Sequence, residues 1–196
     1  MTIAIVDYGS GNLRSAAKAF ERAVSESAMC ARVVVTADAD EVMRAERVVL
    51  PGVGAFADCL ASIDGLPGMR AALHEVVIKA GRPFLGICVG MQLMAEFGHE
   101  NGFHRGLGWV QGEVIGLREG AIKVPHMGWN EIVIRGTHPV LTGLGDGTDF
   151  YFVHSYHLRC EDEGENLAYT EYGEPICAVV GRDNMIGAQF HPEKSQ

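Results

Sequence analysis

No apolar run in this 196-residue chain approaches the roughly 20 residues that a membrane helix needs. Basic residues are in the minority, with 16 Lys+Arg against 25 Asp+Glu. The resulting net charge of -9 opposes approach to phosphate backbones and anionic lipid. Cysteine is sparse and odd in number. The five residues Cys30, Cys59, Cys88, Cys160 and Cys177 are widely spaced and include no Cys-x-x-Cys pair, which argues against a disulfide framework. Before Asp7 the N-terminus offers only Thr2 to Val6 as an apolar run, without a basic leader or a small-residue cleavage site, so a cytoplasmic location is expected. Repeats, low-complexity tracts and interdomain linkers are also missing. With 47% hydrophobic residues, the length suits one domain over residues 1–196.

What is present in the first half is a βαβ rhythm. Strands are expected at Ile3 to Val6, Arg32 to Val35 and Val48 to Leu50, and helices at Leu13 to Val24 and Ala39 to Arg44. A helix over Met69 to Ala80 feeds a strand at Phe84 to Ile87, and the helix that follows is expected to run to about Phe97. From Gly106 onward the pattern predicts antiparallel hairpins, from Trp109 to Leu117, Ile122 to Val124, Glu131 to Ile134, Phe150 to His154, Leu167 to Thr170, Ile176 to Val180 and Met185 to Phe190. Arg135 to Asp149, rich in Gly, Thr and Pro, reads as a long surface loop. The fold class is therefore α/β, a mostly parallel central sheet flanked by helices, with antiparallel strands in the C-terminal half.

Chemistry concentrates at Gly86-Ile87-Cys88-Val89-Gly90, where a short apolar run meets a cysteine with glycine two residues to either side. That spacing predicts a nucleophile elbow, a sharp strand-to-helix turn whose crowded neighbours must be small. A cysteine at a helix start also gains electrostatic support for its thiolate, the nucleophilic form. It needs a base, and the base needs an orienting acceptor. Among eight histidines, His191 stands just past an apolar strand, with Glu193 held two residues on by Pro192. Cys88, His191 and Glu193 can form a triad. Pro51-Gly52-Val53-Gly54 follows a strand, and glycines around Val53 let its peptide rotate to aim an N–H at a bound carbonyl. With the Val89 N–H it would complete an oxyanion hole. His154 and His157 lack metal-ligand spacing, and Gly9-Ser10-Gly11 lacks the full phosphate-loop pattern, so both read as structural.

These motifs resemble the class I, triad-type glutamine amidotransferases, which have a flavodoxin-like fold. Within that superfamily, Lys123-Val124-Pro125-His126-Met127-Gly128-Trp129-Asn130, Tyr151-Phe152-Val153-His154-Ser155-Tyr156 and Gln189-Phe190-His191-Pro192-Glu193-Lys194-Ser195 are similar to the glutaminase subunit of imidazole glycerol phosphate synthase. The resemblance implies hydrolysis of L-glutamine to glutamate and ammonia, with no cofactor or metal. It implies transfer of the ammonia to a separate (β/α)8-barrel cyclase subunit in histidine biosynthesis, as a heterodimer. By motif position, Gly54, Gln92, Glu100, Ser155 and Tyr156 would contact glutamine, and Asn12, Trp129, Tyr151 and Lys194 would face the cyclase, with core packing as the other reading of Trp129 and Tyr151. Position 89 is valine where such proteins more often have leucine. The rivals are another triad glutaminase, such as that of anthranilate synthase, a γ-glutamyl hydrolase, and an inactive scaffold.

Overall fold

The computed structural model of the chain describes residues 1–118, 120 and 122–195. In chain order its first half comprises β1 (Thr2–Val6), α1 (Leu13–Glu26), β2 (Arg32–Thr36), α2 (Ala39–Arg44), β3 (Arg47–Gly52), α3 (Phe56–Gly65), α4 (Met69–His74, continued by a π turn Glu75–Lys79), β4 (Phe84–Cys88) and α5 (Val89–Gln92). The second half is nearly all strand: β5 (Ala95–Gly98), β6 (His104–Arg105), β7 (Val110–Gly116), β8 (His126–Ile134), β9 (Thr148–His154), β10 (Tyr156–Cys160), β11 (Asn166–Glu171), β12 (Pro175–Arg182) and β13 (Met185–Ala188).

Nine strands form one mixed sheet in the order β2-β1-β3-β4-β13-β12-β11-β8-β9. From β2 to β13 every neighbour is parallel, and from β13 to β9 every neighbour is antiparallel. A second sheet, β10-β7-β5-β6, adjoins it. Central strands β3, β4, β12 and β13 are buried nearly end to end, as expected for strands covered on both faces. Outlying β8 instead alternates in exposure, which marks a strand covered on one face. Ile5, Leu50, Phe56, Ile63, Leu73 and Ile87 centre the larger core; Ile132, Phe152, Val179 and Phe190 centre a smaller one under the antiparallel wing. Among the described residues no helix is long and apolar enough to cross a membrane.

Several expectations need correction. The helix after Cys88 does not reach Phe97. It stops at Gln92, and the chain turns into β5, because the carbonyls of Leu93, Met94 and Glu96 accept N–H groups from Leu107, Trp109 with Val110, and Gly106 rather than from a next helical turn. Ile122 to Val124 forms no strand; Pro125 beyond it has no N–H for a ladder, and the Lys123 carbonyl accepts the Tyr172 hydroxyl instead. Met185 to Phe190 is strand only to Ala188, and its partner on one side is parallel β4, so it is not simply a hairpin arm. Helix α3 and strands β5, β6 and β10 were not anticipated from the sequence.

Candidate active site

Sheet order assembles the site. β3 and β4 lie side by side with Gly52 opposite Cys88, and β13 flanks β4 with Ala188 opposite Ile87. The C-terminal ends of three adjacent parallel strands therefore deliver Val53-Gly54, Cys88 and Gln189 to His191 to one crevice, where parallel sheets collect their ligands.

Cys88 has φ 54° and ψ -111°, a conformation that L side chains rarely adopt and that the surrounding packing must hold. A Cβ on Gly90 would lie 1.7 Å from the Leu50 carbonyl oxygen, and one on Gly86 would lie 2.6 Å from the Gly90 oxygen. The elbow closes only because both positions are glycine. His191 and Glu193 are almost wholly buried, with Nδ1 and Oε1 2.8 Å apart, and His191 Nε2 has no hydrogen-bond partner among the described residues. A cavity of about 310 Å³ is lined by Cys88 and His191 together with Val53, Gly54, Val89, Gln92, Glu100, Ser155 and Tyr156. The triad residues, the two oxyanion candidates and the five glutamine-contact candidates thus lie in or directly behind one cavity.

The resting electrostatics differ from the expectation for Cys88. Burial pushes its thiol up to about 12; Glu193 and Cys59 push the same way, and the Val89 N–H and Lys194 oppose them. Four residues of α5 cannot offset that desolvation. The sulfur lies 4.0 Å from the Val153 carbonyl and makes no hydrogen bond to His191. The candidate oxyanion donor is also occupied: the Val53 N–H donates to Ser10 Oγ at 3.2 Å, the Ser10 hydroxyl donates back to the Val53 carbonyl, and Cys59 Sγ reaches that carbonyl at 3.4 Å. Gly54, with φ +101° and open space around it, gives this segment a joint without side-chain strain.

Glu100 accepts the Phe56 N–H at 2.7 Å, so it caps the start of α3 as well as lining the cavity. Trp129 is 54% exposed, which excludes core packing for it. Its ring lies 5.9 Å from that of Tyr151, and Lys194 Nζ lies 5.7 Å from the Tyr151 ring, so three of the four partner-facing candidates form one surface cluster. Asn12 precedes α1, which packs on Pro192–Lys194. Sequence reasoning missed Ser10, His154, Val153 and Gln189. The first two were set aside as structural, and Gln189 carried a signal only as part of the motif around His191.

A model of the Glutamine amidotransferase class-I family matches residues 4–196. "Imidazole glycerol phosphate synthase subunit HisH" of Rhodospirillum rubrum is 55% identical over 199 residues, covering 100% of this chain and 93% of that protein. The protein of the same description from Ruegeria pomeroyi is 56% identical over 198 residues, with the same coverage. Among solved structures, a glutamine amidotransferase superposes with TM-score 0.72 at 19% identity over 97% of this chain and 90% of its own, and one from Thermotoga maritima superposes with 0.69 at 16% over 98% and 76%.

Proposed function

Because the chain belongs to the class-I glutamine amidotransferase family, we propose that it is the glutaminase subunit of an imidazole glycerol phosphate synthase. It hydrolyses glutamine to glutamate and supplies the ammonia to a cyclase partner in histidine biosynthesis. Full-length identity of 53–56% to HisH proteins supports the assignment, and the observation that carries the chemistry is the shared cavity of Cys88 and His191.

Cys88 Sγ attacks the side-chain amide carbon, and its proton passes to His191 Nε2, the ring nitrogen left free in the site. Glu193 at 2.8 Å holds the other nitrogen as a donor and steadies the imidazolium. The Val89 N–H, which already faces the sulfur, and the Val53 N–H, once released from Ser10, receive the negative oxygen. His191 then returns the proton to the leaving nitrogen as the C–N bond breaks, yielding ammonia and a glutamyl thioester. Water, deprotonated by the same nitrogen, cleaves the thioester and restores the thiol.

The resting site is poorly prepared for this sequence, with a neutral thiol and one oxyanion donor turned to Ser10. Partner binding is the event that turns the Gly52–Val53 peptide. The exposed cluster of Trp129, Tyr151 and Lys194, with Met127 62% exposed on the same strand as Trp129, is the partner-facing surface, and Asn12 extends it. A (β/α)8-barrel cyclase is the partner. Glutamate release by the purified chain, measured with and without that cyclase and its ligand, tests the assignment. Strong stimulation is expected. Equal rates with and without the partner would refute it, as would stimulation only by an anthranilate-type synthase.

A further inference from the structure

Two buried histidines that have no part in this mechanism, His126 and His154, stand one behind the other at the cavity. His154 lines it, and His154 Nδ1 lies 3.0 Å from the Tyr156 carbonyl oxygen. A carbonyl only accepts, so Nδ1 carries the hydrogen and the neutral ring presents Nε2 as an acceptor. His126 Nδ1, 3.0 Å from that Nε2, must then be the donor, which leaves His126 Nε2 to accept from Asn130 Nδ2 at 3.3 Å. The far end agrees independently. Asn130 Nδ2 also donates to the Glu171 carbonyl at 3.1 Å, and the Glu131 N–H donates to Asn130 Oδ1 at 2.9 Å, which fixes the amide with its nitrogen toward His126. Phe152 and Tyr172 sandwich the His126 ring, with centroids at 4.8 and 3.9 Å.

From Tyr156 the chain continues to the nucleophile. The Tyr156 carbonyl also accepts from Gln92 Nε2 at 2.9 Å, and the same nitrogen donates to Gln189 Oε1 at 3.1 Å. With its oxygen so occupied, Gln189 can turn only its nitrogen toward Cys88, and Nε2 lies 3.7 Å from Sγ. Gln189 is fully buried. Every link has a single allowed direction: the run from Asn130 ends on the Tyr156 carbonyl, and Gln92 donates both to that carbonyl and onward to Gln189.

We propose that Gln189 positions the Cys88 sulfur by donating to it, that Gln92 aims the Gln189 amide, and that Gln92 is held on the Tyr156 carbonyl, the acceptor it shares with the Asn130, His126 and His154 run. The proposal rests on Cys88 being the nucleophile. Its test does not, because alkylation and ring tautomers are read without glutamine. Protonation of either ring would set two donors face to face, at His126 against Asn130 or at His154 against His126. Burial opposes that protonation in both rings, and the charged or titratable groups facing His154 are His126, His157 and His191. Around Cys88 they are Glu193, Lys194 and Cys59, with His191 across the cavity, and none of them is altered by a change at Gln189.

The test begins with the unaltered chain, where ¹⁵N spectra of the imidazoles should show His126 and His154 as Nδ1–H tautomers, unchanged from pH 8 to about 5. An Nε2–H tautomer at either ring, or titration near the ordinary histidine value, overturns the chain. Iodoacetamide labelling of Cys88, followed by mass spectrometry across pH, then reads the sulfur. Gln189→Leu should move the profile up by about one pH unit, a tenfold slower labelling at fixed pH. Gln189→Glu, which places a carboxylate oxygen against the thiol, should move it further. Asn130→Asp, which offers His126 an acceptor, should switch that ring to Nε2–H. Loss of packing alone lowers the melting temperature without reordering these profiles. Wild-type labelling profiles in both Gln189 variants, or unchanged tautomers in Asn130→Asp, would refute the proposal.

Discussion

Replacing Ser10 by alanine isolates the contact that turns the oxyanion donor away from the cavity. In the resting structure the Ser10 hydroxyl accepts from the Val53 N–H at 3.2 Å and donates to the Val53 carbonyl, so one side chain grips both sides of the residue whose amide must rotate. Alanine removes both bonds and leaves only Cys59 Sγ, 3.4 Å from the carbonyl. Ser10 is half-buried, so each bond contributes at the modest end of about 0.5–1.5 kcal/mol. A loss of about 1 kcal/mol from the resting orientation alone raises the population of the rotated peptide about fivefold. The glutaminase kcat of the isolated chain should therefore rise by roughly two- to tenfold. KM should change little, because Ser10 does not line the cavity. In the complex with liganded cyclase, where the Val53 N–H has already left Ser10, the rate should equal that of the unaltered chain. A coupled glutamate assay on both forms measures this. An unchanged or lower basal kcat in a variant with an unchanged melting temperature would show that Ser10 does not hold the resting state.

Glu193→Gln keeps the shape beside His191 but removes the charge that steadies the imidazolium at 2.8 Å, so kcat should fall by about 10²–10⁴-fold with KM little altered; a loss under tenfold would deny Glu193 the orienting role. Gly90→Ala sets a Cβ 1.7 Å from the Leu50 carbonyl oxygen, a rigid backbone atom, and should cost about 3 kcal/mol or more, lowering the melting temperature by about 6–12 °C. A melting temperature within about 2 °C of the unaltered chain would show that the elbow relaxes freely. Burial lowers His126 to about 4 and His154 to about 3, and lowers His157 as well, from 6.5. These groups bind fewer protons folded than unfolded below pH 6.5, so their contribution to stability is complete above that pH and declines as pH falls toward 4. The urea midpoint should drop between pH 6.5 and 5, before ordinary carboxylates titrate, and a flat midpoint over that window would contradict neutral buried rings.

What could be read from the residues alone was local in the chain. The Gly86 and Gly90 spacing around Cys88 states a steric need within five residues, and His191 with Glu193 states a pairing within three. Both survive into the structure, as does the βαβ rhythm, because β3, β4 and β13 are buried along their length and their apolar runs announce it. The contacts that set how ready the site is are separated by much more chain. Ser10 meets Val53 across 43 residues, Glu100 meets Phe56 across 44, His126 meets His154 across 28, and Gln189 meets Cys88 across 101. No periodicity encodes such pairs. The overlong helix after Cys88 failed for the same reason: Met91 to Glu96 suits a helix by intrinsic preference, and backbone donors from residues 106 to 110 overrule it. The proposed triad, made by neighbours in sequence and adjacent strands, is thus legible as a candidate chemistry. Its restraint lies in side chains such as Ser10 and Gln189, which acquire a role only when the sheet brings them beside Val53 and Cys88.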